Sequence, residues 1–469
     1  MKFAISRKNL WEKAPQPVKA IAGGLLGLLG IERLFGRLYR VQRAFLREAD
    51  RWPAERARAW QVERLRDICL LAYRGSAFYR REFDAVGFHP EALKAPEDLR
   101  VLPFICKDVL RANMAEMCVA PTNSPGVDYV STGGSSGKPM QFYIGANRSQ
   151  IEYAHLVTSW ERIGFDLRIP QAVFRGTVVP EDRNGFRHQY DPLLRRHYYS
   201  NFHMTEANMA RYLDHVATIG PCFLHAYPSA AATLASFIKH AHRKAPTNIK
   251  GIIAESENVY PDERELAEMV FGVRYYSCYG HSEKLVLGVE CEHSSDYHIW
   301  PTYGFCELVR PDGSPVTTPG VRGEIVGTGF INRIVPFIRY RTGDYAEYGG
   351  ESCPKCGRAQ MILRNVEGRG PQGSLVGADG QHISNTAINV HDDTFDGVIE
   401  YQFAQSKPGV AELHVVPCRA LTEVDKQRII TNMTRRLQGQ VTLTLKVCEA
   451  VHQTARGKKP RIIQTIGAR

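Results

Sequence analysis

The chain has 469 residues, 43% hydrophobic and 23% charged, the balance of a globular protein with a sizeable core rather than of a disordered or collagen-like chain. That length exceeds one ordinary domain, so two or three are expected. The formal net charge of +11 suggests anionic partners, but the charges are dispersed and no lysine-arginine block marks a nucleic-acid tail, so no nucleic acid is expected.

In chain order, "IAGGLLGLLGI" (residues 21–31) is the sole membrane candidate. It is about half the length that crosses a bilayer, and a basic run follows it without a small-residue cleavage pattern. It reads as an amphipathic or buried helix. The expected location is cytoplasmic, with peripheral membrane contact as the alternative. Residues 45–87 predict helix: "WQVERLRDICLLAYRGSAFYRREF" repeats apolar residues every three or four positions. "LPFICKDVL" closes a mostly helical leading region covering 1–110. From residue 129 onward, strand-like "QAVFRGTVV", "CFLHAY", "IKGIIAES" and "RYYSCYG" alternate with helical "EANMARYLDHVAT" and "SAAATLASFIKHAHR", the rhythm of parallel strands in a layered α/β domain.

After Trp300 short strands replace that rhythm, and "RPDGSP" is a hairpin signal because Asp-Gly accepts the turn dihedrals at little cost. "GRGPQG" places a domain boundary near Arg369, giving a large domain over 1–369 and a smaller α+β domain over 370–469 with one helix in "VDKQRIITNMTRRLQGQ". The 11 cysteines are scattered and odd in number, so reduced thiols or a metal site are expected rather than a disulfide framework.

The stretch "YVSTGGSSGKPMQFYI" (residues 129–144) is rich in residues whose small side chains let backbone N–H groups approach a polyphosphate. It is not a hydrolase P-loop. Three residues rather than four separate Gly133 from Gly137, and Pro139 follows Lys138 where a magnesium-binding hydroxyl would stand. By itself the stretch is equally compatible with a surface loop.

Three further stretches follow in order: "CYGHSEK" (278–284), "YRTGDY" (340–345) and "RGKKPRII" (456–463). Together the four resemble the signatures of the adenylate-forming superfamily, which includes acyl–coenzyme A synthetases. "PFIRYRTGD" and "GIIAESENV" narrow the likeness to the phenylacetate–coenzyme A ligase branch and its capsule-biosynthesis relatives. The resemblance implies a large layered α/β adenylate-forming domain with a mobile C-terminal domain. It implies an AMP-forming carboxylate ligase that makes an acyl adenylate from an organic acid and Mg·ATP, then transfers the acyl group to coenzyme A. Transfer to an amine of a sugar or amino acid is the alternative, and a non-catalytic nucleotide-binding descendant is a third. The sequence leaves the acid and the oligomeric state open.

The resemblance also implies roles. Ser131, Thr132, Gly133, Gly134, Ser135, Ser136, Gly137 and Lys138 would grip the leaving phosphates, and Glu283 would hold Mg²⁺. Tyr279, Gly280, His281 and Ser282 would flank the nucleotide, with Glu255 also assigned to it. Asp344 would accept from both ribose hydroxyls, although "RTGD" alone reads equally as a turn. Lys458 is the candidate mobile catalytic lysine, with adjacent Lys459 and a solvated basic tail as alternatives. Arg369 stands at the hinge position, but "GPQG" replaces the acidic residues the family carries after it. Arg175, Tyr227 and Pro228 are candidates for the acid pocket. Arg175 reads either as a partner for a second anionic group or as an ordinary strand-end arginine. "CPKCGR" (353–358) offers a thiolate pair for a tetrahedral metal, against a reading as idle cysteines. The branch implies a structural zinc on Cys291, His298, Cys353 and Cys356, with His293 as the substitute ligand.

Overall fold

The computed structural model describes residues 31–131, 140–257, 259, 261–367, 374–384, 390, 392–417, 419–449, 451–452 and 462–466. The chain divides into two compact units. One is built from Met1–Phe45, Tyr153–Glu255 and Val259–Tyr276, the other from Leu46–Glu152, Ser256–Asn258 and Ser277–Arg469.

The first unit is the layered α/β part. Its strands lie side by side in the order His188–Asp191, Arg196–Tyr199, Gln171–Phe174, Cys222–Ala226, Ile249–Glu255. Gln171–Phe174 runs parallel to both of its neighbours, and Cys222–Ala226 runs parallel to Ile249–Glu255. Burial is continuous along the three inner strands apart from Lys250, as required of a parallel sheet covered on both faces. The helices Glu206–Thr218, Pro228–His240 and Pro261–Phe271 fall where the 3.6-residue period predicts the first two. Thr205 caps the first by accepting from Asn208 N, and proline opens the others at the position where its missing N–H is harmless. The hairpin His188–Asp191/Arg196–Tyr199 is an element that the sequence pattern did not separate from its surroundings. Asp191 Oδ1 accepts from Leu193 N and Leu194 N, and Arg195 takes a left-handed φ of 52°, which closes the turn.

The second unit carries the leading helices Ala54–Gly75, Ala77–Ala85 and Lys107–Met117. They share a core with antiparallel strands ordered Gly304–Val309, Arg322–Gly329, Tyr340–Gly350, Ile362–Glu367, Tyr297–Ile299, Leu287–Val289. Leu65, Phe83, Leu110, Phe142, Phe337 and Leu363 are all buried in it. The Asp312–Gly313 turn forms as expected: Gly313 has φ +84°, and Arg310 N donates to Ser314 O. The C-terminal segment of this unit has its own sheet, ordered Thr442–Val447, Val410–Pro417, Val398–Lys407, Ile462–Gln464. Its helix Glu423–Arg436 starts at a Thr422/Asp425 capping box and stops where Gln438 and Gly439 turn left-handed.

Among the described residues no helix is long and apolar enough to cross a membrane. No disulfide joins the described cysteines. The expected boundary near Arg369 and nearly all of the apolar segment 21–31 lie outside the described residues.

Candidate functional site

Of the residues singled out in the sequence, Thr132, Gly133, Gly134, Ser135, Ser136, Gly137, Lys138, Arg369, Lys458 and Lys459 lie outside the described residues. Ser131 ends the strand Val127–Ser131, whose hairpin partner Gln141–Gly145 frames the glycine-rich stretch between them.

In the second unit, two of the motifs meet. Tyr279, near the end of the strand Tyr275–Gly280, donates its hydroxyl to Asp344 Oδ2 at 3.0 Å. Burial and the neighbouring Asp344 carboxylate push the Tyr279 hydroxyl well above its usual range, so it remains a donor. Asp344 owes its position to a bulge. The strands Arg322–Gly329 and Tyr340–Gly350 pair at Glu324↔Tyr345 and Val326↔Arg341, leaving residues 342–344 opposite Ile325 alone. Such a bulge re-aims a side chain out of the regular pleat. Thr342 Oγ1 donates to Ile325 O and accepts from Asp344 N, while Glu324 accepts from Gly343 N and from Arg341 Nε. Gly343, at φ +76°, supplies the backbone conformation.

Glu283 is 4% exposed, and Lys284 after it holds a left-handed φ of 60°, a conformation that costs a non-glycine residue about 1–3 kcal/mol. Lys284 Nζ pairs with Glu152 at 2.5 Å. The backbone here passes directly over glycines. A Cβ on Gly304 would sit 1.8 Å from Leu285 O, and one on Gly329 would sit 3.2 Å from Lys284 O. A cavity of about 420 Å³ elsewhere in this unit, bordered by Arg58, Arg100 and Glu307, is lined by none of the candidates.

In the first unit, Arg175, Tyr227 and Glu255 come together at the ends of three adjacent strands. The Arg175 guanidinium lies over the Tyr227 ring at 5.5 Å and donates to Glu255 Oε2 at 3.3 Å and to His225 Nε2 at 2.9 Å. Pro228 opens the following helix. Burial keeps His225 neutral, which lets Nε2 accept. Burial also opposes ionisation of Glu255, but the polar His225 ring beside it and the Arg175 charge outweigh that and hold the carboxyl below its ordinary range. The arginine is therefore already engaged by protein groups. Glu255 Oε1 is buried without a hydrogen-bond partner among the described residues. Sequence reasoning missed His225, because one histidine within "CFLHAY" looks like any strand residue until Glu255 is placed beside it.

Back in the second unit, Cys291, His298, Cys353 and Cys356 present ligand atoms that all lie within 4.8 Å of one another. The first three are buried. Gly357, at φ +73°, turns the knuckle, with Gly357 N donating to Cys353 O and Cys353 N to Arg358 O. His298 Nδ1 donates to Asp296 O, which leaves Nε2 facing Cys356 Sγ at 3.3 Å. His293 is outside this group of four and donates only its backbone N–H to Cys291 Sγ. Beneath the knuckle, buried Arg358 binds Asp50 through Nε at 2.9 Å and Glu292 bidentately at 2.6 and 2.8 Å.

No family model matches the sequence. The phenylacetate-coenzyme A ligase of Thermus thermophilus is 26% identical over 347 residues, covering 69% of this chain and 72% of the relative. That of Escherichia coli is 25% identical over 329 residues, covering 66% and 70%. Protein CapK of Staphylococcus aureus is 23% identical over 347 residues, covering 73% and 74%. A solved 2-hydroxyisobutyryl-CoA ligase, in complex with 2-HIB-AMP and CoA, superposes with a TM-score of 0.59 at 22% identity, covering 89% of this chain and 92% of that one, a likeness of fold. With the ordered motifs, these likenesses ally the chain in sequence with the phenylacetate-coenzyme A ligases and CapK, and in fold with an acyl-CoA ligase.

Proposed function

We propose that the protein is an AMP-forming acid–coenzyme A ligase. A carboxylate oxygen attacks the α-phosphorus of ATP and the bond to pyrophosphate breaks, leaving an acyl adenylate. The coenzyme A thiolate then attacks the acyl carbon and AMP leaves. The observation that carries this reading is the meeting of two motifs 65 residues apart, where Tyr279 orients Asp344 through a 3.0 Å hydrogen bond. A carboxylate lifted out of the pleat by a bulge, with one oxygen held, is suited to accept from a ribose diol. The buried Oε1 of Glu255 lacks a partner among the described residues, and a ligand N–H would satisfy it. Arg175, engaged by Glu255 and His225, shapes the acid pocket beside Tyr227 and Pro228 rather than reaching for a substrate anion.

Ser131 to Lys138 are assigned to the leaving phosphates, Lys458 to the charge developing during transfer and Arg369 to the hinge, on the strength of the motif resemblance alone. Glu283 suits Mg²⁺, a hard cation that would offset phosphate charge. The three sulfurs and one imidazole nitrogen of Cys291, Cys353, Cys356 and His298 fit a closed tetrahedral zinc site of structural type, and the Asp296 carbonyl fixes the imidazole tautomer.

Carboxylate-dependent exchange of labelled pyrophosphate into ATP, across aryl, fatty and hydroxy acids, tests the first step. The mass of the product formed with coenzyme A present separates thioester from amide. Exchange that survives Asp344→Ala undiminished would sink the assignment, because hydrogen bonds to a charged group contribute about 1.5–3 kcal/mol each, at least a tenfold effect.

A further inference from the structure

The hairpin His188–Asp191/Arg196–Tyr199 belongs to the first unit, and none of the candidate site residues above lies in it. Its register sets His188 opposite Tyr199 and Tyr190 opposite His197. Residues two apart share a face of a strand, so these four side chains point the same way and the two histidines are diagonal neighbours. Their rings stack with centroids 5.3 Å apart, and His188 Nε2 lies 3.1 Å from His197 Nδ1. The helix Glu206–Thr218 brings His215 onto the same face, its ring 4.4 Å from that of His188 and 5.7 Å from that of His197. One ring nitrogen from each histidine lies within 4.8 Å of those of the other two.

Convergence of three imidazole nitrogens is poor packing on its own terms. A hydrogen bond between His188 and His197 uses one proton and leaves a third ring facing them. Two ligands about 2.0–2.1 Å from one tetrahedral ion stand about 3.3 Å apart, close to the 3.1 Å separation present here. The third ring also has the partner that metal-bound imidazoles carry. His215 Nδ1 is 2.7 Å from the hydroxyl of buried Tyr199, which leaves Nε2 available. Burial and the neighbouring rings hold His188 and His197 in the neutral form, the form with a lone pair to share. All three rings are partly exposed, so an ion there keeps a route to solvent.

We propose that His188, His197 and His215 form a second metal site, distinct from the cysteine cluster, that takes a borderline divalent ion such as Zn²⁺ and leaves its fourth position to water or an exchangeable ligand. Three imidazoles and an open position differ in kind from a closed site with three thiolates. The predicted affinity is lower and the exchange faster, so the site fills and empties while the cysteine cluster stays loaded.

The test uses the full chain and Zn²⁺. Wild-type protein, His188→Asn, His197→Asn and Tyr199→Phe are dialysed against Zn²⁺, and bound metal is counted by elemental analysis. Each histidine variant is expected to hold about one ion fewer than the wild type, and Tyr199→Phe to bind the exchangeable ion about tenfold more weakly. Metal content unchanged in both histidine variants overturns the proposal. A second measurement needs no variant: carbethoxylation of the wild type, mapped by peptide mass spectrometry. Zn²⁺ added to protein with its cysteine cluster already loaded should protect His188, His197 and His215. Modification of all three at the same rate with and without Zn²⁺ would equally overturn it, and the three rings would then be an aromatic cluster of packing value only.

Discussion

Gly304→Ala probes how the Glu283 segment is held. The added Cβ would lie 1.8 Å from the Leu285 carbonyl oxygen and 2.8 Å from that of Thr328. An unstrained carbon–oxygen contact is about 3.3 Å, so the Leu285 segment has to retreat by about 1.5 Å or the strand carrying Gly304 has to move instead. Neither obstacle is the end of a flexible side chain: both are backbone. Overpacking of this kind destabilises by about 1–3 kcal/mol. Glu283 is two residues from the contact, and a displacement of about 1 Å at a positioned group can reduce turnover about 100-fold. The expected result is a lowered melting temperature together with pyrophosphate exchange down by about two orders of magnitude, measured with whichever acid supports exchange. Gly320→Ala is the comparison. Gly320 has φ +82° and nothing within 4 Å of where an added Cβ would stand, so its replacement brings only conformational strain of about 1–2 kcal/mol. It should lower the melting temperature and leave exchange intact. If Gly304→Ala exchanges pyrophosphate at the wild-type rate, the glycine-backed segment does not position the site and the reasoning fails.

Tyr279→Phe removes the donor to Asp344 and should weaken ATP binding about tenfold with little change in kcat, which steady-state kinetics in ATP would show. Arg358→Met takes away the guanidinium that Asp50 and Glu292 share under the cysteine knuckle; a loss of about 3 kcal/mol in urea unfolding is expected, and full retention would refute a structural role. Removing bound metal with a strong chelator should lower the melting temperature of the wild type, and zinc, rather than Mg²⁺, should restore it. Acid should destabilise the protein through His225 and Glu255. The folded values of about 4 and about 2 lie below their ordinary ones, so the unfolded chain binds more protons and stability falls as pH falls. The histidine contribution is lost between about pH 6.5 and 4 and the glutamate contribution below that. His225→Gln should flatten only the upper part of the urea-midpoint profile.

The sequence alone determined the kind of protein this is, because its signals are local. Alternating periods located the helices Glu206–Thr218 and Pro228–His240 and the strands Cys222–Ala226 and Ile249–Glu255 that alternate with them, since amphipathic spacing is a property of neighbouring residues. Asp-Gly marked its turn for the same reason. The ordered motifs carried the likeness to the adenylate-forming superfamily, and the spacing of "CPKC" suggested half of a metal site. Tertiary structure decided what depends on contacts between distant segments. Thr342, Gly343 and Asp344 read as a turn in one dimension; they are a bulge within a strand because the facing strand offers only Ile325 against them. Arg175 could be read as a partner for a substrate anion until the parallel register of three strands set His225 and Glu255 beside it. His188, His197 and His215 carry no motif, since a hairpin register and a helix crossing, neither encoded in their spacing, are what bring three imidazoles to one point. Local propensity selects elements; the register and packing between elements, set by the whole core at once, select which side chains meet.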